Sequence, residues 1–270
     1  MSRFNRIMKR LFSVRSVISL LAATLLISSF TLAITFLNRD GKTTERSKVT
    51  PQLVLWAWER STDLRFIDAN KFAVAFLAKS ILLRSDDAII RPRLQPLELS
   101  EGTKVIAVVR IEVDREKKAS LSANQKEVTA REIVDMTSLP NVSEIQIDFD
   151  ATQSQRDFYR ELIVDIRRRL PSNIRLSITA LASWCMYDNW LSDLPIDEAV
   201  PMLFRMSADG KQIASRLDAG DDFNAQPCRH SYGISMDEPH PNLFPSRRVF
   251  VFNPDAWTAN AVRQVSESNK

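Results

Sequence analysis

Alternation of apolar and polar residues is clearest from Glu144 onward. Ile145, Ile147 and Phe149 fall on one side of an extended chain, with Gln146, Asp148 and Asp150 on the other, which predicts a strand with an acidic face. Directly behind it, Ser154 with Asp157 three residues on reads as a helix N-cap and capping box, and Phe158, Leu162, Ile163 and Ile166 then recur at helical spacing. The same order repeats elsewhere. Leu53–Glu59 is an apolar run of strand length, and Asp63 is placed to cap a helix over Leu64–Leu83, whose Phe66, Ile67, Phe72, Val74, Ala75, Leu77 and Leu82 make a broad apolar face. Ala88–Leu99 alternates but contains Pro92 and Pro96, which cannot donate to a ladder, so an edge or irregular strand is expected.

Further along, Thr103–Val113 places Val105, Ala107, Val109, Ile111 and Val113 on one face. Its other face runs Ile106, Val108, Arg110, Glu112, turning charged only near the end, as the inside of a barrel does at its mouth. Gln125–Met136 predicts a helix closed by Pro140, and Ile174–Leu181 a strand followed by the cluster Trp184, Cys185, Tyr187, Asp188 and Trp190. Ala199–Met206 predicts a buried strand, Ala208–Leu217 a weaker helix broken by Gly210, and Arg229–Ser235 a short strand. Arg248–Asn253 predicts the last strand, and Pro254 starts a terminal helix through Trp257 and Val262.

Seven or eight strands mostly separated by helices imply a parallel sheet covered on both faces. A (β/α)8 TIM-like barrel, irregular in its second unit, fits the 270 residues better than an open doubly wound sheet. The expected organisation is a basic tail over 1–16, a transmembrane signal-anchor helix over 17–37, a polar tether over 38–51 and the barrel domain over 52–266.

Charge supports that division. Residues 1–15 hold Arg3, Arg6, Lys9, Arg10 and Arg15 and no acid, leaving 32 basic against 33 acidic side chains for the remainder. The high pI therefore belongs to a tail, and a nucleic-acid partner, which needs a basic stripe on the folded body, is not expected. Val17–Leu37 is twenty-one residues without a charge. At ~1.5 Å per residue it is long enough for a ~30 Å hydrocarbon layer. Its basic leading flank predicts the amino terminus in the cytoplasm and the body outside. A cleaved signal peptide is the rival, since Thr31-Leu32-Ala33 is a small-x-small triplet, but the apolar run continues past it. Cys185 and Cys228 are disulfide candidates in an exported body, the alternative being two unpaired small apolar residues.

Candidate chemistry narrows by elimination. Five glycines assemble no G-x-G-x-x-G or Walker loop, so no nucleotide partner and no cofactor are expected. His230 and His240 sit in no metal-ligand spacing, so no metal is expected either. Gly233-Ile234-Ser235-Met236-Asp237 lacks the second glycine of a nucleophile elbow. Carboxylates remain, gathered at predicted strand ends: Glu59, Glu112, Asp148, Asp150 and Asp237-Glu238. Glycoside cleavage uses two carboxyl groups, one protonated and one charged. Asp148 and Asp150, two residues apart on one face, repel each other, which raises one pKa, while Arg110 can hold the other charged. Trp58 and Trp184 stand where sugar platforms would, with packing in the core as the equal alternative for each, and Trp56 is expected in the core. The plain alternatives are a solvated strand end or a structural pair with Arg110 or Arg156 for the two aspartates, an ion pair bracing the barrel for Arg110 and Glu112, and a turn before Pro239 for Glu238. A D-x-D pattern also serves metal-dependent sugar transfer, but the opening such folds need is missing.

Several strings carry a resemblance: VLWAWER (54–60), AVVRIE (107–112), QIDFDATQSQRDFY (146–159), LSITALASWC (176–185), DEAVPMLFRM (197–206), the GIS-DEP region (233–239) and RRVFVFNP (247–254). Together they resemble the bacterial family called domain of unknown function 3142, over roughly residues 51 to 257. The resemblance implies a barrel and, with the apolar segment, a bacterial inner-membrane protein of one span whose C-terminal domain is periplasmic. A looser likeness is to chitinase-type glycosidase barrels, whose fourth strand ends D-x-D-x-E; it implies a supporting role for Asp148 and a general-acid role for Asp150. Here the acid is Asp rather than Glu, and Gln146 replaces the first aspartate of the pattern. The expected protein is thus a glycoside-hydrolase-like barrel acting on an envelope or exported polysaccharide. Glu112 or Glu238 would be the opposing carboxylate, and Trp58, Glu59, Arg110 and Trp184 the substrate contacts. The alternatives are a non-catalytic barrel binding glycan or an envelope protein, and a structural barrel plugged by ion pairs.

Overall fold

A computed structural model describes residues 52–268; the expected tail, anchor helix and tether over 1–51 lie outside them. Among the described residues no helix is long and apolar enough to cross a membrane. Eight parallel strands close into a barrel in the order β1 (Leu53–Ala57), β3 (Phe72–Arg84), β6 (Val105–Val113), β7 (Val142–Asp148), β8 (Arg175–Leu181), β9 (Glu198–Met202), β10 (Ser231–Ser235) and β11 (Arg248–Phe252). Closure comes from β1, which pairs in parallel with both β3 and β11. The hairpin strand β4 (Asp87–Pro92) adds antiparallel to β3 outside the ring. A separate parallel pair, β2 (Thr62–Leu64) with β5 (Leu97–Leu99), lies beside them. The irregular, proline-bearing edge expected over Ala88–Leu99 is therefore the two short strands β4 and β5.

The second unit departs from expectation. Leu64–Leu83 is no helix: its main part is β3, thirteen residues long and buried on both faces. Ala73, Ala75 and Leu77 point into the barrel, while Phe72, Val74, Ile81 and Leu83 join the outer core. A strand buried on both sides reads as a continuous apolar run, and such a run satisfies helical spacing equally well. A register shift between Leu77 and Lys79 also breaks the alternation.

Helices cover the outside: α1 (Ala123–Val134), α2 (Arg156–Arg169), the short α3 (Ala182–Tyr187), α4 (Gly210–Asp218) and α5 (Ala259–Ser268). The box ahead of α2 uses Thr152 and Gln155, not Ser154 and Asp157; the Thr152 N–H donates to Gln155 Oε1 at 2.8 Å. Gly210 begins α4 rather than breaking it, and a glycine is needed there because a Cβ would come within 2.6 Å of Met206 Cβ. The terminal helix starts at Ala259, beyond Pro254. Cys185 and Cys228 are bridged, with Cα atoms 5.8 Å apart, joining α3 to the turn that leads into β10.

Inside the ring, side chains stack in layers. At the N-terminal strand ends, Glu144, Glu198, Arg175 and Arg248 form a buried ionic cluster. Above it Trp56 fills the middle with Val108, Val200 and Phe250. Its indole N–H donates to Gln146 Oε1 at 3.0 Å, so the polar end of the ring is satisfied. Gly233 leaves room for it, since a Cβ there would lie 3.1 Å from the ring. The filled middle makes the C-terminal mouth the place where space opens.

Candidate active site

In this ring β7 is the fourth barrel strand, and Asp148 is its last residue. Phe149 turns outward against the Tyr159 ring of α2, edge-on with centroids 5.0 Å apart, which fixes its two aspartate neighbours toward the mouth. Asp148 is 8% exposed. Its Oδ1 accepts from Thr179 Oγ1 of β8 at 2.7 Å, and its Oδ2 lies 3.6 Å from the Arg110 guanidinium. Arg110 also donates from Nε to Glu112 at 3.2 Å and lies 5.6 Å over the Trp58 ring.

Burial raises the pKa of Asp148, with Asp150 and Glu112 adding repulsion against the pull of Arg110 and the Thr179 hydroxyl. Asp150 is more exposed, yet burial of its carboxyl also raises its pKa, opposed by Arg110 alone. Both carboxyls are thus raised by burial and opposed by Arg110; Asp148 carries in addition the repulsion of Asp150 and Glu112 and the Thr179 hydrogen bond. Behind them Tyr159 is fully buried, and its hydroxyl has no hydrogen-bond partner among the described residues. Burial, then Asp148 and Asp150, push that hydroxyl far above the ordinary tyrosine range.

The two aspartates border a cavity of about 360 Å³ whose other walls include Trp58, Phe204, Phe252, Met202 and Asp209. Phe204 and Phe252 stack with centroids 5.6 Å apart, and Trp58 meets Phe252 edge-on at 6.3 Å. The Asp209 carboxylate, on the loop between β9 and α4, makes no capping bond to its helix and has no partner among the described residues. Among those residues no group of three or more His, Cys, Asp or Glu side chains is arranged to hold a metal ion.

Of the residues singled out in the sequence, Asp148, Asp150, Arg110 and Trp58 meet at this cavity. Glu112 instead borders an adjoining cavity and is tied to Arg110. Glu238 is drawn to the next loop: it accepts the Arg205 backbone N–H at 2.9 Å, where Arg205 has a φ of 50°. Glu59 is exposed beyond β1 and lines neither cavity. Trp184 is buried in the outer layer, edge-on to Trp190 at 5.0 Å with the Arg156 guanidinium over both rings. The chain enters α3 directly after β8, and that turn carries Trp184 away from the mouth.

Thr179, Phe204, Phe252 and Asp209 were not picked out. Thr179 and Phe252 follow the inward phase of their strands, so alternation alone marks them; Phe204 and Asp209 sit on a loop that has no period.

No family model matches the chain, and no curated protein does. The resemblance to domain of unknown function 3142 thus rests on the quoted strings alone. Among solved structures the chain is similar to the chitinase domain of the spore coat protein CotE from Clostridium difficile, at 13% identity and a TM-score of 0.40, covering 78% of this chain and 67% of that one. Similarity that low transfers no chemistry, so the functional reading rests on the mouth itself.

Proposed function

We propose that this protein is a glycoside-hydrolase-like barrel acting on a cell-envelope or exported polysaccharide. The observation that carries the reading is an open cavity at the C-terminal mouth where paired aspartates of raised pKa meet an aromatic wall. Such mouths are where barrel enzymes do their chemistry. Sugar rings present C–H faces that pack on Trp58 and Phe252, and acid catalysis of glycoside cleavage needs a carboxyl that stays protonated near neutrality. Asp150 takes that role as the more exposed of the two at the cavity, where a leaving oxygen can reach its carboxyl. Asp148, held by Thr179 and Arg110, is its charged partner. Glu112 and Glu238 are engaged with Arg110 and Arg205, so the opposing carboxylate is Asp209. Asp150 protonates the leaving oxygen as the C–O bond breaks, and Asp209 takes a proton from the attacking water. The apolar segment Val17–Leu37 supports placement of the barrel on the periplasmic side of a bacterial inner membrane.

A second reading, a glycan-binding barrel without turnover, is favoured by Arg110, which spans Asp148 and Glu112 and neutralises part of the rim. Asp150→Asn separates the two when purified protein is assayed against solubilised peptidoglycan and soluble polysaccharides. Loss of turnover by about 10²–10⁴-fold with binding retained is expected for a general acid. An unchanged rate removes the hydrolase reading.

A further inference from the structure

We infer that one glycan chain lies across two adjoining cavities of the mouth, so that Asp148 and Asp150 face an internal stretch of polymer rather than its end. This rests on the glycan reading above and assigns the second cavity as a binding site with its own chemistry. The cavities measure about 360 and 420 Å³ and have three lining side chains in common, Arg110, Asp148 and Asp150. Those three form the ridge between them. Both volumes fall within the ~300–1,000 Å³ of small-ligand pockets, so neither side is too small for a sugar ring.

The two sides differ in kind. On the first, Trp58, Phe204, Phe252, Met202 and Met206 offer apolar surface against which the C–H face of a pyranose packs. On the second, Glu112, Asp114, Thr152 and Gln155 offer donors and acceptors suited to ring hydroxyls. Most of these polar groups are already held. Asp114 accepts from Arg84 at 2.5 Å and from the N–H groups of Glu116 and Lys117 at 2.9 Å each. Gln155 is fixed by Thr152, and Glu112 by Arg110. Groups fixed before binding lose little freedom when a ligand arrives.

A site reserved for a terminal sugar is closed on one side of its acids, whereas here there is space on both. Cleavage at the ridge is therefore internal. The leaving oxygen takes the Asp150 proton as its bond to the anomeric carbon breaks, water adds to that carbon and gives a proton to Asp209, and one chain becomes two shorter ones.

Two filling substitutions test this in the full chain. Arg115 borders only the second cavity and Ser207 only the first, and both are exposed. Arg115→Trp and Ser207→Trp are each expected to weaken binding of glycol chitin or solubilised peptidoglycan strands about tenfold or more, the size of effect that blocking one contact region has. Arg115→Ala and Ser207→Ala, which leave the space open, should bind within about threefold of wild type, and circular dichroism reports whether each variant is folded. Wild-type digestion should lower mean chain length before free monosaccharide appears. A folded Trp variant that binds polymer like wild type, release of monosaccharide without shortening, or failure of the wild type to bind either polymer overturns the inference. Binding without cleavage would end the hydrolase reading alone, and loss of that binding in both Trp variants would still support a chain lying across the ridge.

Discussion

The ionic cluster at the base of the barrel sets a stability dependence on pH that Glu198→Gln should remove. Glu144 and Glu198 are both 0% exposed. Arg248 reaches both, 3.1 Å from Glu144 and in close contact with Glu198, and Arg175 stands 3.4 and 3.7 Å from the same two carboxylates. Burial and the neighbouring Glu144 push Glu198 up to about 7 despite Arg248 and Arg175. Glu144 moves the other way: burial alone would raise it, but Arg248, Arg175 and the Ser177 hydroxyl together lower it. An acid raised in the folded state holds its proton more tightly there. Its favourable contribution is complete below its ordinary value of 4.5 and is lost as pH rises through about 7. At ~1.4 kcal/mol per unit, the difference is on the order of 3 kcal/mol. For a domain of this size that is roughly 6–12 °C in melting temperature. Thermal unfolding followed at 222 nm, at fixed ionic strength and from pH 5 to pH 8, should show the wild type losing stability relative to Glu198→Gln by about that amount. A constant difference between the two across the range would refute the assignment, because every other titrating group is common to both.

Two further outcomes follow from other parts of the molecule. Replacing Cys185 and Cys228 together by serine opens a loop spanning a sequence separation of 43. The chain-entropy estimate for such a loop is about 4 kcal/mol, so the melting temperature should fall by roughly 8–16 °C. An unchanged melting curve would mean that the bridge constrains little of the unfolded chain. Arg110→Met removes the cation that opposes the raised pKa of both Asp148 and Asp150, so the alkaline limb of the kcat/KM profile should move to higher pH. If the limb stays where it is in wild type, neither aspartate is the titrating acid.

How much of this fold can be read from the chain depends on whether a strand has two unlike faces. Thr103–Val113 and the run from Glu144 do, and their inward residues Arg110, Gln146 and Asp148 follow from alternation alone. Leu53–Ala57 and Arg248–Phe252 are short apolar runs bounded by polar residues, which suffices to find them but not to orient them. β3 defeats the same reasoning. It is buried inside by the barrel core and outside by the helical layer, and its register shifts midway, so no period of two survives over its thirteen residues. A helix over Leu64–Leu83 would have left the ring one strand short. The requirement that β1 find a second neighbour is tertiary information that no window of sequence contains.

At the site the same division decides which residues could be found. Asp148 and Asp150 were legible because an apolar residue separates them, and Phe149 has to face the helical layer whatever else the chain does. That one obligation directs both carboxylates into the mouth. Trp184 was misplaced for the converse reason: it follows the strand by three residues, and α3 begins at once, so a helical turn rather than strand alternation sets its direction. Glu238 shows a third case, in which a carboxylate at a strand end is taken up by its own scaffold. Arg205 adopts a φ of 50°, a conformation a bulky residue reaches only at a cost, and the Glu238 carboxylate holds its N–H. The Arg205 guanidinium in turn lies 5.3 Å over Phe252. The acid expected to act on substrate thus supports the wall that substrate would touch. Asp209, with no such duty, is left free to face the cavity.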